Sequence, residues 1–228
     1  MYGRRVLTAA MMLVMVAACA AVADTQSGIT VTGSAEISVQ PDIAFVTLGV
    51  STQDVNAAAA AQSNAGKTSA VIAAVMKLGI AKADIETVGY SVSPIIDYQR
   101  NPPVTTGYSV TNQVRVRATD LTKTGAIIDT ALAAGANNVQ GVSFTLADDS
   151  QPRQKALAEA VRKAEAKART IAETLHVALG KVVSASESSG FTPRPVEYSM
   201  AKSEAATTPI IPGEVQVSAN VTLVFAIL

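Results

Sequence analysis

Residues 107–146 read GYSVTNQVRVRATDLTKTGAIIDTALAAGANNVQGVSFTL, and the fold is decided here. The stretch opens with period-two alternation. Tyr108, Val110, Val114 and Val116 point one way, and Ser109, Thr111, Gln113, Arg115 and Arg117 point the other, as in a strand with one wet face. Asn112 is the lone polar residue on the dry side. Asp120 is placed to cap a helix running through Ala134, because a carboxylate accepts from the orphan N–H groups of a first turn. Gly135 ends that helix, since the residue after a helix often needs positive φ. After Asn137-Asn138, Val142, Phe144 and Leu146 resume the alternation. The unit is β-α-β.

Working outward toward the N-terminus, Ile29 to Gln40 alternates throughout and predicts a half-buried strand. Pro41-Asp42 breaks it, and the more apolar Ile43 to Thr52 is expected to pair back with it as a hairpin. Asp54 to Leu78 reads as an alanine-rich helix closed by Gly79, and Ile85 to Tyr98 returns to strand. Strand, helix, glycine and strand thus occur twice, a weak internal echo with little identity of residues.

Pro152 to Ala178 predicts the strongest helix, with Leu157, Ala160, Val161, Ala164, Ala168, Ile171, Ala172 and Leu175 as its apolar stripe. Charges of both signs lie on its other face, which suits a helix laid on a sheet better than a basic membrane-surface helix. Val182 to Ser188 is a short strand. Residues 190–214 carry Pro193, Pro195, Pro209 and Pro212 and read as a long exposed loop. Val215 to Leu228 is a closing strand, long, apolar and without lysine or proline. We expect it at a sheet edge, where it and the loop's Phe191, Tyr198, Met200, Ile210 and Ile211 invite a partner.

The first 23 residues have the parts of a secretory signal: Arg4 and Arg5, an apolar run from Val6 through Val16, and the small-residue site Ala21-Val22-Ala23. The expected product is a domain at 24–228, exported to the periplasm or cell envelope. Val16-Ala17-Ala18-Cys19 offers a second processing route, resembling the bacterial lipobox in which the cysteine becomes a lipidated first residue. No later segment supplies the ~20 apolar residues of a transmembrane span. Cys19 is the only cysteine, so neither route leaves a disulfide in the domain.

Basic and acidic residues balance at 18 each. Loss of Arg4 and Arg5 would leave the remainder slightly acidic, which argues against nucleic acid, and the absence of tryptophan weakens any stacking platform. His176 is the sole histidine and has no cysteine to join it in a zinc or nucleophile site. Asp148-Asp149 precede a helix and read as caps rather than cation ligands. Arg115, Arg117 and Lys123 are candidates for an anion or an acidic partner, though a solvated sheet face explains them as well. No glycine-rich phosphate loop precedes a helix, so no cofactor is expected. No catalytic, cofactor-binding or metal residue is assigned.

GYSVTNQVRVRATDL with AAGANNVQGVSF closely resembles the SIMPL domain family of bacterial envelope proteins, which includes a periplasmic immunogenic antigen and a protein named for oxidative-stress defence. The resemblance extends from ITVTGSAEISVQPDIAFVTLGV through Leu78-Gly79-Ile80 to PIIPGEVQVSANVTLVF. It carries no catalytic residues. What it implies is a role in stress tolerance and a ring-like homo-oligomer. The whole reading is an α+β fold, three helices on a mostly antiparallel sheet, non-enzymatic and self-assembling. The competing reading is a periplasmic ligand-binding protein or hydrolase with its site between sheet and loop.

Overall fold

A computed structural model describes residues 28–188, 194–195 and 208–228. The leader with Cys19, and Phe191, Tyr198 and Met200 of the long loop, lie outside the described residues. In chain order the elements are β1 (Gly28–Val39), β2 (Ile43–Asp54), α1 (Ala57–Met76), β3 (Ile85–Asp97), β4 (Val104–Ala118), α2 (Thr124–Ala133), β5 (Asn138–Thr145), α3 (Ser150–Thr174), β6 (Leu179–Ser188), the two-residue β7 (Arg194–Pro195) and β8 (Val215–Ile227). This is the α+β architecture expected from the alternation. Its strands pair antiparallel and divide into two four-stranded sheets.

The middle of the chain, residues 43–145, builds one sheet in the order β3-β4-β2-β5. Both β-α-β units of the sequence echo are here, and each is split: β4 lies between β2 and β3, while β2 lies between β4 and β5. Ala44, Val46, Leu48 and Val50 of β2 and Val116 and Ala118 of β4 form the core with Val71 and Val75 of α1 and Ile127, Ile128 and Ala131 of α2. Period two on the strands and 3.6 on the helices meet on one face. Asn56 caps α1 by accepting from the N–H groups of Ala58 and Ala59, and Gly79 and Gly135 take φ of 89° and 117° just beyond the two helices. Asp120 caps a single 3₁₀ turn at 121–123, from which α2 continues.

The ends of the chain build the second sheet. β8 lies between β1 and β6, and β1 pairs with it in unbroken register from Gly28 with Ala226 to Val39 with Val215. The expected hairpin of β1 with β2 does not form. Asp42 instead gives its N–H to Thr145 and accepts from Ala147, so the Pro41-Asp42 link is pinned to the end of β5 and carries the chain from one sheet into the other. Nor is the closing strand an edge, for both its sides are paired.

Helix α3 covers this sheet with Ala156, Ala160, Ala164, Ala168 and Ala172, one small residue per turn, against Ile29, Val31, Ala35, Val221, Leu223 and Phe225. The approach is unusually close at Gly33, where a Cβ would stand 2.0 Å from the carbonyl oxygen of Ala160. Only glycine opposite alanine permits that spacing. Ile171 and Leu175, expected in the buried stripe, are exposed instead.

Candidate functional site

Arg115, Arg117, Lys123 and Asp148, which the sequence put forward, are engaged locally. Arg115 donates from Nε to Glu86 at 2.7 Å and lies 5.2 Å from the centre of the Phe45 ring. Arg117 pairs with Asp84 at 3.1 Å, and Lys123 donates to the Leu78 carbonyl at the end of α1. These are partly exposed contacts, and ion pairs of this kind contribute up to about 1 kcal/mol. Asp148 accepts from the Ser150 N–H at 2.9 Å, and that bond with the Ser150 hydroxyl holds its carboxyl below the ordinary range. Asp149 makes no capping bond. His176 stands just past α3 at φ 55°, the position a glycine usually fills, with its N–H on the Glu173 carbonyl. Among the described residues, no three His, Cys, Asp or Glu side chains gather as metal ligands. The alternative site between sheet and loop falls largely on residues outside those described.

What the sequence reading missed is on β3. Tyr90 faces Asn112 across the β3–β4 ladder and Val92 faces Val110, which puts both on the helix-bearing side of the middle sheet. Helix α1 lies over β2 and β4 and hardly reaches β3. Tyr90 and Val92 are therefore 57% and 45% exposed, with Val88 exposed on the same strand and Val104 and Tyr98 exposed at its far end. The alternation of this strand was legible. That none of the described helices covers it was not, because a period of two tells which side chains share a face and not what stands on that face.

Next to this strip runs a polar seam under α1. Asn64, fully buried, donates to the carbonyls of Val50 and Val110 at 2.8 and 3.1 Å and accepts from Thr68. Asn112, flanked on its strand by Val110 and Val114, keeps a buried Oδ1 without a hydrogen-bond partner.

The four open edges differ. On β1, Lys167 donates to the Thr32 carbonyl at 2.9 Å, placing a cation against the edge. On β5 a bulge and Gly141 at φ 151° interrupt the ladder, and β6 has two register shifts within its first half. On β3 the shifts fall at Thr87/Gly89 and Ile95/Ile96, leaving Gly89 to Ile95 regular and free of charge. Bulges, lysines and prolines are the usual protection of an edge, and β3 has Pro94; among the described edges its Gly89 to Ser93 stretch is the regular, uncharged run without one. The arrangement leaves backbone groups along this run able to pair with another chain.

In the described residues no helix is long and apolar enough to cross a membrane. The SIMPL family, described as a protein of unknown function (DUF541), matches residues 29–225. The 26 kDa periplasmic immunogenic protein of Brucella melitensis is 32% identical over 216 residues, covering 87% of this chain and 84% of its own. The uncharacterized protein YggE of Escherichia coli K12 is 30% identical over 179 residues, 78% of this chain and 72% of its own. The match spans both sheets, from the second residue of β1 to the third from last of β8, and on that ground the chain belongs to the SIMPL family.

Proposed function

We propose that this chain is an exported, non-enzymatic envelope protein that assembles with copies of itself along β3. Periplasmic placement is supported by the leader at 1–23 and by the printed name of the Brucella relative. The observation that carries assembly is the uncovered β3 strip, whose Gly89 to Ser93 run is regular, uncharged and ends at Pro94, with Tyr90 and Val92 exposed on it. Pairing along that edge satisfies backbone groups and removes apolar area from water at about 25 cal/mol per Å². A stable association buries on the order of 1,600 Å², which requires flanking residues such as Val104 and Tyr98 to take part. This replaces the closing strand, expected as the partner-seeking edge, and it does not use Ile210, which packs into the core of the middle unit.

The test is light scattering coupled to size exclusion on the exported protein. Tyr90→Glu with Val92→Glu, both at exposed positions, should reduce a multimer to monomer while leaving the thermal transition in place. A monodisperse monomer of the unaltered protein at high concentration ends the proposal. The stress role rests on the family resemblance, and a deletion strain that survives peroxide and envelope stress as well as its parent would remove it.

A further inference from the structure

A second apolar surface lies at the opposite kind of place, on the end of the terminal-strand sheet. Helix α3 runs toward the start of β1: Gly33 lies against Ala160 and Ala164, while Val31 and Thr32 line a groove of about 430 Å³ with Lys167, Thr170 and Ile171. The last turn of α3, the start of β1, the start of β6 and the end of β8 therefore share one pole. Leu179 pairs with Ile227, Val182 with Phe225, and the backbone of Leu228 exchanges hydrogen bonds with Ala178. Leu175 is 62% exposed and Leu228 85%, with Ile171, Ile227, Val182 and Val183 exposed beside them.

The segment outside the structure arrives at this pole. Residues 1–27 join β1 at Gly28, which faces Ala226. They hold the apolar run Val6 to Val16 and the lipobox-like Val16-Ala17-Ala18-Cys19. The nine residues from Cys19 to Gly28 reach at most about 30 Å, so a membrane-held segment keeps the pole within reach of the bilayer surface. We propose that the pole is a bilayer-resting face, in which Leu175, Ile171, Ile227 and Leu228 enter the headgroup boundary and Lys181 at the rim meets phosphate. A flexible tether leaves the domain free to turn, and a second apolar contact on the same end of the molecule fixes its orientation at the surface. The contact differs from the β3 strip in residues, sheet and partner, and it stands without the assembly reading.

The chain has no tryptophan, so one placed residue reports alone. Protein isolated from the envelope, with whatever N-terminus it carries, is mixed with vesicles of phosphatidylethanolamine and phosphatidylglycerol, with and without brominated acyl chains. Leu175→Trp should shift to the blue and lose about half or more of its emission to brominated lipid. Val55→Trp, at a position 81% exposed at the turn before α1, should do neither. Failure to bind vesicles overturns the proposal, as does binding in which the tryptophan at 175 stays unquenched. A blue shift that grows with protein concentration in lipid-free buffer and ignores vesicles overturns it in favour of a second copy on the pole.

Discussion

Thr208 gives both its backbone N–H and its hydroxyl to the carboxylate of Asp129, at 3.1 and 2.6 Å. One turn earlier on α2, Gly125 leaves no space for a side chain: a Cβ there would stand 2.2 Å from the Thr208 carbonyl oxygen. Two residues later Ile210 enters the core of the middle unit. The segment that feeds β8 of one sheet is thereby clamped to a helix of the other.

The clamp has an acid limit. The Thr208 hydroxyl first, and its N–H second, hold the Asp129 carboxyl below its ordinary 3.8, against a smaller opposing effect of burial. A depressed folded-state value means the contribution is present above 3.8 and lost as pH falls through the lower value. Hydrogen exchange at the Thr208 amide, corrected for its intrinsic rate, should lose protection only as pH falls below 3.8. Asp129→Asn should show weaker protection with no such step. A step that persists in the asparagine variant assigns it to another group.

Asn112 should be better replaced than kept, as far as stability goes. A buried acceptor without a partner costs about 1–3 kcal/mol, and valine suits a strand position between Val110 and Val114. Asn112→Val is expected to raise the unfolding free energy by about 1 kcal/mol in urea titration. Destabilisation would show that the Oδ1 is satisfied in solution.

Two glycine-to-alanine changes should have opposite signs. At Gly33 the added methyl meets the Ala160 backbone, which no rotamer change relieves, and the loss should be about 3 kcal/mol or more. At Gly66, exposed within α1 and with nothing within 4 Å, alanine should gain up to about 1 kcal/mol from helix propensity. Thermal melts of the pair decide it, and equal effects would mean that α3 does not sit as close to β1 as described.

His176 holds its left-handed backbone without the freedom of glycine, so His176→Gly should stabilise by about 0.5–1 kcal/mol. His176→Gln should leave complementation of a deletion strain unchanged. A folded, exported glutamine variant that fails to complement would return an enzymatic role to consideration.

What was legible in the sequence is local. The alternation around Val110, Val114 and Val116 located β4 and its dry face, and Gly79 and Gly135 marked the ends of α1 and α2 at the residues that carry positive φ. Pairing was not legible. Ile29, Val31 and Ala35 need an apolar neighbour of matching period, and β2 and β8 both offer one, so a neighbour in sequence was preferred where a distant strand is the partner. The same ambiguity made β8 look like an edge. The buried stripe of α3 was legible in Ala160, Ala164, Ala168 and Ala172; it missed Ala156 and wrongly took in Ile171 and Leu175, because Leu and Ile outrank Ala in hydrophobicity while only Ala fits beneath a helix this close to Gly33. The β3 strip was hidden for a related reason: exposure there depends on where α1 stops.

The pairing of the first described strand with the last sets an order of events. Val39 meets Val215 and Gly28 meets Ala226, contacts between distant parts of the chain, while the middle unit closes within residues 43–145. Loop-closure entropy delays such distant contacts, so the middle unit can fold first and β1 must wait. Until β8 emerges, the alanine face of α3 has no completed sheet to lie on. The second sheet, framed by the two ends of the chain, is therefore the last part of the molecule to close, and any delay in the arrival of β8 leaves a folded middle unit carrying an unfinished partner.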